Sequence, residues 1–434
     1  MQNTLETLRK YMLIDGFEII FDLEKSEPNY IYDKITGKKF LDFYTFFASA
    51  PLGINHPKIR TKEFTKELAI AALNNPANSD SYTEGMIKFV DTFGRICMKN
   101  DFKHLFLIAG GTLAVENALK TAFDWKVRKN FAAGEEAILG QQVIHFEKAF
   151  HGRSGYTLSL TNTYDPRKTK YFPKFDWPRV SAPIITFPLE KHLDEVKAKE
   201  EQSILSINDA IDKNCKDIAA LIIEPIQGEG GDNHFRPEFF KSLRKICDEN
   251  EIMLIFDEVQ TGIGLTGKMW AYEHFVKPDI VSFGKKVQVC GIMVTDRVDE
   301  VESNVFQEAS RINSTWGGNL ADMVRSTKYL EIIEEDHLVE NAEKVGKYLL
   351  KSLENVCEDS KGKMTNARGR GLMCAIDLPT TEMRDTLKKA LFKNNVFVLS
   401  CGAKSIRFRP ALCVEKKHID EGMAIIAKVC REIA

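Results

Sequence analysis

Two adjacent lysines, Lys285 and Lys286, follow the apolar run DIVSFG (279–284). Loop lysines are usually solvated, but an amine at the end of a buried strand is partly stripped of water. Desolvation favours its neutral form, which attacks carbonyl carbons to form imines. The string IFDEVQTGIGLTG (255–267) carries Asp257 and Gln260 out of another apolar run. A carboxylate there needs a cationic or hydrogen-bonding partner to stay ionised, and a protonated pyridine ring can supply one. Metal ligation is the competing use of the Asp257-Glu258 pair, yet no histidine or cysteine cluster accompanies it.

Two further strings complete the set. In AGGTLAVENALK (109–120), Gly110, Gly111 and Thr112 stand between a strand-like run and a helix-like one. Backbone N–H groups and a hydroxyl at that junction can hold a phosphate; a plain strand-to-helix turn is the alternative. The spacing lacks both Gly-x-Gly-x-x-Gly and the Walker lysine, which disfavours nicotinamide dinucleotides and ATP. In FEKAFHGRSGYTLSLT (146–161), Phe150 can stack on a flat heteroaromatic ring and Arg153 can grip a carboxylate in a two-pronged fork. His151 taken singly is a structural histidine. Each string alone is common. Their shared position at the ends of predicted strands points to pyridoxal 5'-phosphate (PLP), whose pyridine nitrogen requires an acidic partner and whose aldehyde requires a lysine.

The elements that must position these residues alternate. Apolar runs HLFLIAG (104–110), QVIHF (142–146), APIITF (182–187), IAALIIEPI (218–226), IMLIFDEV (252–259) and DIVSFG (279–284) read as strands. Between them, 113–125 places Val115, Ala118, Leu119 and Ala122 on one helical face, and 237–250 opens with Pro237 at a favourable first-turn position. This alternation predicts an α/β fold whose mainly parallel sheet is covered on both faces, with a ligand crevice at the strand ends. Beyond about residue 320 the pattern changes to amphipathic helices at 320–335 and 416–433 around the strand-like pieces GLMCAIDL (371–378) and SIRFRP (405–410). The segment YIYDKITGKKFLDF (30–43) has hairpin character and is expected to pair with those pieces. The predicted organisation is a large domain over 61–320, a smaller α+β domain over 321–434, and residues 1–60 contributing to the smaller one. FPKFDWPRVSAP (172–183) reads as a loop without an assigned role.

Composition narrows the function classes. Sixty Lys and Arg against sixty-two Asp and Glu give a net charge of −2, with no basic run dense enough to follow a nucleic-acid backbone. No apolar run reaches the ~18 residues of a membrane helix. The start MQNTLETLRKY lacks a signal peptide's apolar stretch, so a soluble cytoplasmic protein is expected. The nine cysteines show neither a CxxC pair nor a zinc spacing, and read as reduced packing residues, with no metal implied.

Taken together, GGTLAVENALK, FHGR, EPIQGEGG (224–231), FDEVQTG (256–262), the lysine loop, NSTWGGN (313–319) and IRFRP resemble the class III (ω-amino acid) aminotransferases, in the family's order and across nearly the whole chain. The resemblance implies PLP fold type I, with a mainly parallel seven-stranded sheet in the large domain. It implies that Lys285, the residue after Gly284, carries PLP and that Asp257 meets the ring nitrogen. Gln260 then lies near the ring hydroxyl, Gly111 and Thr112 bind the phosphate, and Phe150 covers the ring. Thr315 is expected to reach the phosphate of a neighbouring subunit, making a homodimer the active unit. For substrates the resemblance implies Arg407 on the α-carboxylate of 2-oxoglutarate, Arg153 on the distant carboxylate, and Asn313 among the contacts. Glu229 neutralises Arg407 when a terminal amine enters, and Glu224 supports the site. Lys286 to Cys290 stand where the family commonly has small residues. That departure, with GDNHFRPEFF (231–240) and RINSTWGGNLADMVR (311–325), implies L-lysine as amino donor, with ornithine and 4-aminobutyrate as the rival donors. A regulator that kept only the fold would carry an added DNA-binding domain, and no such segment is present.

Overall fold

The computed structural model describes residues 4–432. A hairpin comes first, β1 (Tyr30–Tyr32) against β2 (Lys39–Asp42). Its turn includes Gly37, whose φ of +69° favours a residue without a Cβ. The central sheet follows: β3 (His104–Ile108), β4 (Gln142–Phe146), β5 (Arg179–Val180), β6 (Ile218–Ile223), β7 (Met253–Asp257), β8 (Ile280–Phe283) and β9 (Cys290–Val294). The seven strands lie in the order β3-β9-β8-β7-β6-β4-β5. β9 runs antiparallel to both its neighbours, β3 and β8, while the other pairings are parallel.

The two faces of this sheet follow from the period of two along its strands. Leu221, Ile223, Leu254 and Phe256 enter one core with Phe89, Phe93, Phe239 and Phe240. The alternating Ala220, Ile222, Met253 and Ile255 meet Val115, Ala118, Leu119, Ala122 and Trp125 on the other. Those last five belong to the helix Gly111–Ala132, which packs across β6, β8 and β9. A strand buried on both faces cannot alternate apolar with polar, which is why β6 to β8 read as continuous apolar runs.

Two expectations are corrected. The run 182–187 is not a strand: β5 ends at Val180, and Phe187 N–H donates instead to the Asn366 side chain. Pro183 has no N–H for a ladder, and Pro188 closes the other end. Cys290, the last residue of the stretch that departs from the family's small residues, opens the strand β9. The hairpin does not join the strand-like pieces at 371–378 and 405–410.

That last sheet comprises β10 (Thr365–Arg370), β11 (Met373–Asp377), β13 (Leu399–Cys401) and β14 (Ser405–Phe408), in the order β10-β11-β14-β13, with β12 (Val396–Phe397) outside it. β11 and β14 are each flanked on both sides, so neither has an edge to offer. β2 pairs with β12 in parallel instead, Leu41 opposite Val396. Phe40, Phe392 and Phe397 stack over this junction. The helices expected at the C-terminal end are Leu320–Glu335 and Lys416–Glu432, residue 433 lying outside the described residues; Leu338–Asp359 and Thr381–Lys393 complete the layer.

Candidate active site

Strand ends converge on one cavity of about 230 Å³. β7 delivers Asp257, β8 delivers Lys285, the junction after β3 delivers Gly111 and Thr112, and the chain leaving β6 delivers Glu224 and Glu229. Phe150, His151 and Gln260 complete the wall used below. Lys285 begins a short 3-10 turn with φ at +45°, and its amine lines the cavity. Burial, with help from the nearby Arg407 guanidinium, brings that amine down to about 8, against the pull of Asp257 and Glu224. Lys286 turns elsewhere: it is 3% exposed, and its Nζ donates to the carbonyls of Gln260 (2.6 Å) and Ala48 (3.3 Å). The lysine pair is therefore split between a cavity and the interior.

Asp257 is held from two sides. His151 Nδ1 lies 2.8 Å from Oδ2, and Val259 N–H donates to Oδ1 at 3.1 Å. His151 is thus structural in a specific sense, orienting the acid at the cavity wall, while its Nε2 has no partner among the described residues. Glu224 accepts from Phe150 N–H at 2.8 Å and Gly228 N–H at 3.0 Å, tying together two walls of the cavity. Burial pushes its carboxyl up to about 7, opposed by His151 and the two N–H donors. The Gln260 side-chain oxygen accepts from Arg407 at 3.2 Å and from Arg409 at 3.3 Å.

The expected contact between Glu229 and Arg407 is absent among the described residues. Glu229 Oε1 pairs with Lys168 instead, and its Oε2 is buried without a partner. Its backbone carbonyl is pinned by Gly402 N–H at 2.8 Å. Arg407 is buried beside Gln260, its Nε unpartnered and without an acidic partner among the described residues. The loop bearing Glu229 is fixed by two buried arginines that sequence reading passed over. Arg409 reaches Asp232 at 2.5 Å with both side chains almost wholly buried, and Arg368 donates to the carbonyls of Gly231 and Asp232. Two arginines in the IRFRP string were the available signal, and only Arg407 was read from it.

Four predicted residues do not line this cavity: Arg407 stands behind Gln260, and Arg153, Asn313 and Thr315 are exposed on the single chain. The Asn313 side chain accepts from Ser314 N–H, and the Thr315 carbonyl accepts from Ser79. Among the described residues, no cluster of three or more His, Cys, Asp or Glu is placed to hold a metal ion. No helix among them is long and apolar enough to cross a membrane.

The family pattern of the class III aminotransferases matches residues 14–430. The chain belongs to the class III aminotransferases. An L-lysine-epsilon aminotransferase of Mycobacterium tuberculosis is 52% identical over 97% of this chain and 94% of its own length. One from Streptomyces clavuligerus is 45% identical over 100% of this chain and 95% of its own. The solved structure of a lysine aminotransferase from M. tuberculosis superposes with a TM-score of 0.98 at 50% identity, covering 100% of this chain and 99% of that one.

Class III enzymes are PLP-dependent, and this donor set fits that group. The cavity offers a partly neutral lysine amine, a buried carboxylate steered by a histidine, and an aromatic wall in Phe150. At the helix start Gly110 has φ +104° and no side chain caps the N-terminus, so its N–H groups stay free for a phosphate. A Cβ on Gly152 would sit 2.4 Å from Thr112 Oγ1, so this glycine keeps the hydroxyl accessible.

Proposed function

We propose that this class III enzyme is an L-lysine 6-aminotransferase. It moves the ε-amine of L-lysine to 2-oxoglutarate, giving L-glutamate and 2-aminoadipate 6-semialdehyde, which closes spontaneously to a piperideine carboxylate. The observation that carries the choice of donor is the 52% identity over 97% of the chain with a protein named for that substrate. PLP, when bound, supplies the electron sink for the carbanion formed at the substrate carbon.

The chain's own groups do the rest. Lys285 would hold the cofactor, and its amine would act as the base and acid that moves the proton at the substrate carbon. Asp257, oriented by His151, keeps the ring nitrogen protonated, and Gln260 meets the ring hydroxyl. Gly111 and Thr112 bind the phosphate while Phe150 covers the ring. Arg153 takes lysine's distant carboxylate and, in the second half-reaction, the far carboxylate of 2-oxoglutarate. Arg407 takes the near one, and Glu229 neutralises Arg407 when lysine enters. Thr315 and Asn313 act from a second copy of the chain, in a homodimer.

Support for the two-arginine arrangement is the buried, acid-free Arg407 behind Gln260, since a guanidinium without a partner in a dry site calls for an anion. The test is a single-turnover comparison: holoprotein is mixed separately with lysine, ornithine and 4-aminobutyrate, and conversion of bound cofactor to its pyridoxamine form is followed by absorbance. Lysine should convert it fastest, and 2-oxoglutarate should restore it. Faster conversion by ornithine or 4-aminobutyrate overturns the assignment.

A further inference from the structure

Glu229 has one carboxylate, and the two-substrate reading asks it to serve Arg407 while the structure pairs it with Lys168. Lys168 stands in the short turn Pro166–Lys168, while buried Arg407 donates to the Gln260 oxygen and has no acidic partner among the described residues. The backbone around Glu229 is held on two sides, so a change of partner falls to the side chain. Gly402 N–H holds the Glu229 carbonyl, and a Cβ on Gly230 would lie 2.0 Å from the Lys148 carbonyl oxygen. The turn carrying Lys168 is itself anchored. Asn162 bonds to Ala149 and Lys148 on the segment that continues into Phe150, and Tyr164 reaches Thr381 on the far side of the crevice. Asp165, the nearest acid in the chain, is occupied by Arg167, so Lys168 has Glu229 as its sole acidic partner among the described residues.

We propose that Lys168 is a specificity-determining positioning residue that holds Glu229 off Arg407 and so keeps Arg407 open to the α-carboxylate of the keto-acid acceptor. This rests on the two-substrate reading above. Glu229 then divides between two partners, and the affinity of a dicarboxylate is scaled by the fraction of molecules in which Arg407 is free. Removing Lys168 shifts that fraction toward the pair of Glu229 with Arg407, which a dicarboxylate must first break. The amine substrate, which needs that pair formed, gains from the same shift.

Glutarate, an unreactive dicarboxylate, isolates the effect from chemistry. Its dissociation constant is measured by calorimetry on holoenzyme carrying Lys168→Met, Lys168→Arg, Glu229→Gln, or Glu229→Gln with Lys168→Met. A partly exposed ion pair predicts about three- to five-fold weaker binding in Lys168→Met at low salt. Lys168→Arg should restore it, and the loss should shrink at high salt. In the Glu229→Gln background Lys168→Met should have little further effect. Unchanged affinity in Lys168→Met overturns the proposal. Equal losses in both backgrounds also overturn it, because Lys168 would then be attracting the anion directly. If lysine does not convert the cofactor, the lysine assignment fails while the glutarate comparison still reads the Lys168 pair. If lysine converts it and the two losses are equal, the Lys168 role fails alone.

Discussion

Lys285 and Lys286 share a chemistry and differ in what surrounds them. One amine lines the cavity with its pKa lowered to about 8, and the other is locked onto two backbone carbonyls. Lys285→Ala is expected to hold PLP only noncovalently, so that borohydride no longer fixes cofactor to the protein; mass spectrometry reads this directly. Lys286→Ala should keep the covalent label but lose about 1–3 kcal/mol of stability, from carbonyls left without a donor. The lowered value also sets a pH signature. The neutral, attacking amine grows as pH rises, so covalent capture of PLP by cofactor-free protein should accelerate up to about pH 8 and then level off. Acceleration continuing to the ordinary lysine range near pH ~10 would contradict it. Lys285 was legible because a single string contains its strand and its glycine. The Glu229 partner was not, because Lys168 lies 61 residues away in the chain and meets it only across the folded loop.

The QGEGGD segment shows what glycines do at the level of an element. Two of them, Gly228 and Gly230, stand where a neighbouring group approaches too closely for a side chain. A Cβ at Gly228 would meet the Gln260 side chain at 2.4 Å, and one at Gly230 the Lys148 backbone at 2.0 Å. The consequences should differ, because a side-chain end yields and a backbone does not. Gly230→Ala is expected to cost about 1–3 kcal/mol or more in thermal or urea unfolding. Gly228→Ala should unfold close to the parent but displace Gln260 from Arg407 and Arg409, seen as altered glutarate affinity. Similar melting losses for both would show that the segment is not held as described. Arg409 on the Asp232 carboxylate and Arg368 on the Gly231 and Asp232 carbonyls hold that segment in place.

For the whole molecule, the exposed residues are the informative ones. Arg153, Asn313 and Thr315 lie outside the single chain's cavity, and the neighbouring Trp316 is 46% exposed. We read these as the part of each site supplied or covered by a second copy. If each site combines Lys285 of one subunit with Thr315 of the other, two inactive variants should complement. Lys285→Ala and Thr315→Glu, unfolded together and refolded, should regain activity toward about a quarter of the parent, since half the dimers are mixed and each has one intact site. No recovery, with dimers verified by sedimentation, would place Thr315 and Lys285 of one chain in one site.

The sequence by itself determined the local chemistry. Most continuous apolar runs marked strands buried on both faces, and Gly111, Phe150, Glu224, Asp257 and Lys285, which end or follow them, line one cavity, because a strand end fixes where its next few residues lie. It also marked the family, through motifs whose order survives any folding. Tertiary structure alone decided the pairings: His151 with Asp257, Asp232 with Arg409, Glu229 with Lys168, and the hairpin with β12. Charges and strand edges choose partners by distance and vacancy in three dimensions. Chain separation carries no information about either, so the partner of an acid such as Glu229 is chosen only once the loops are closed.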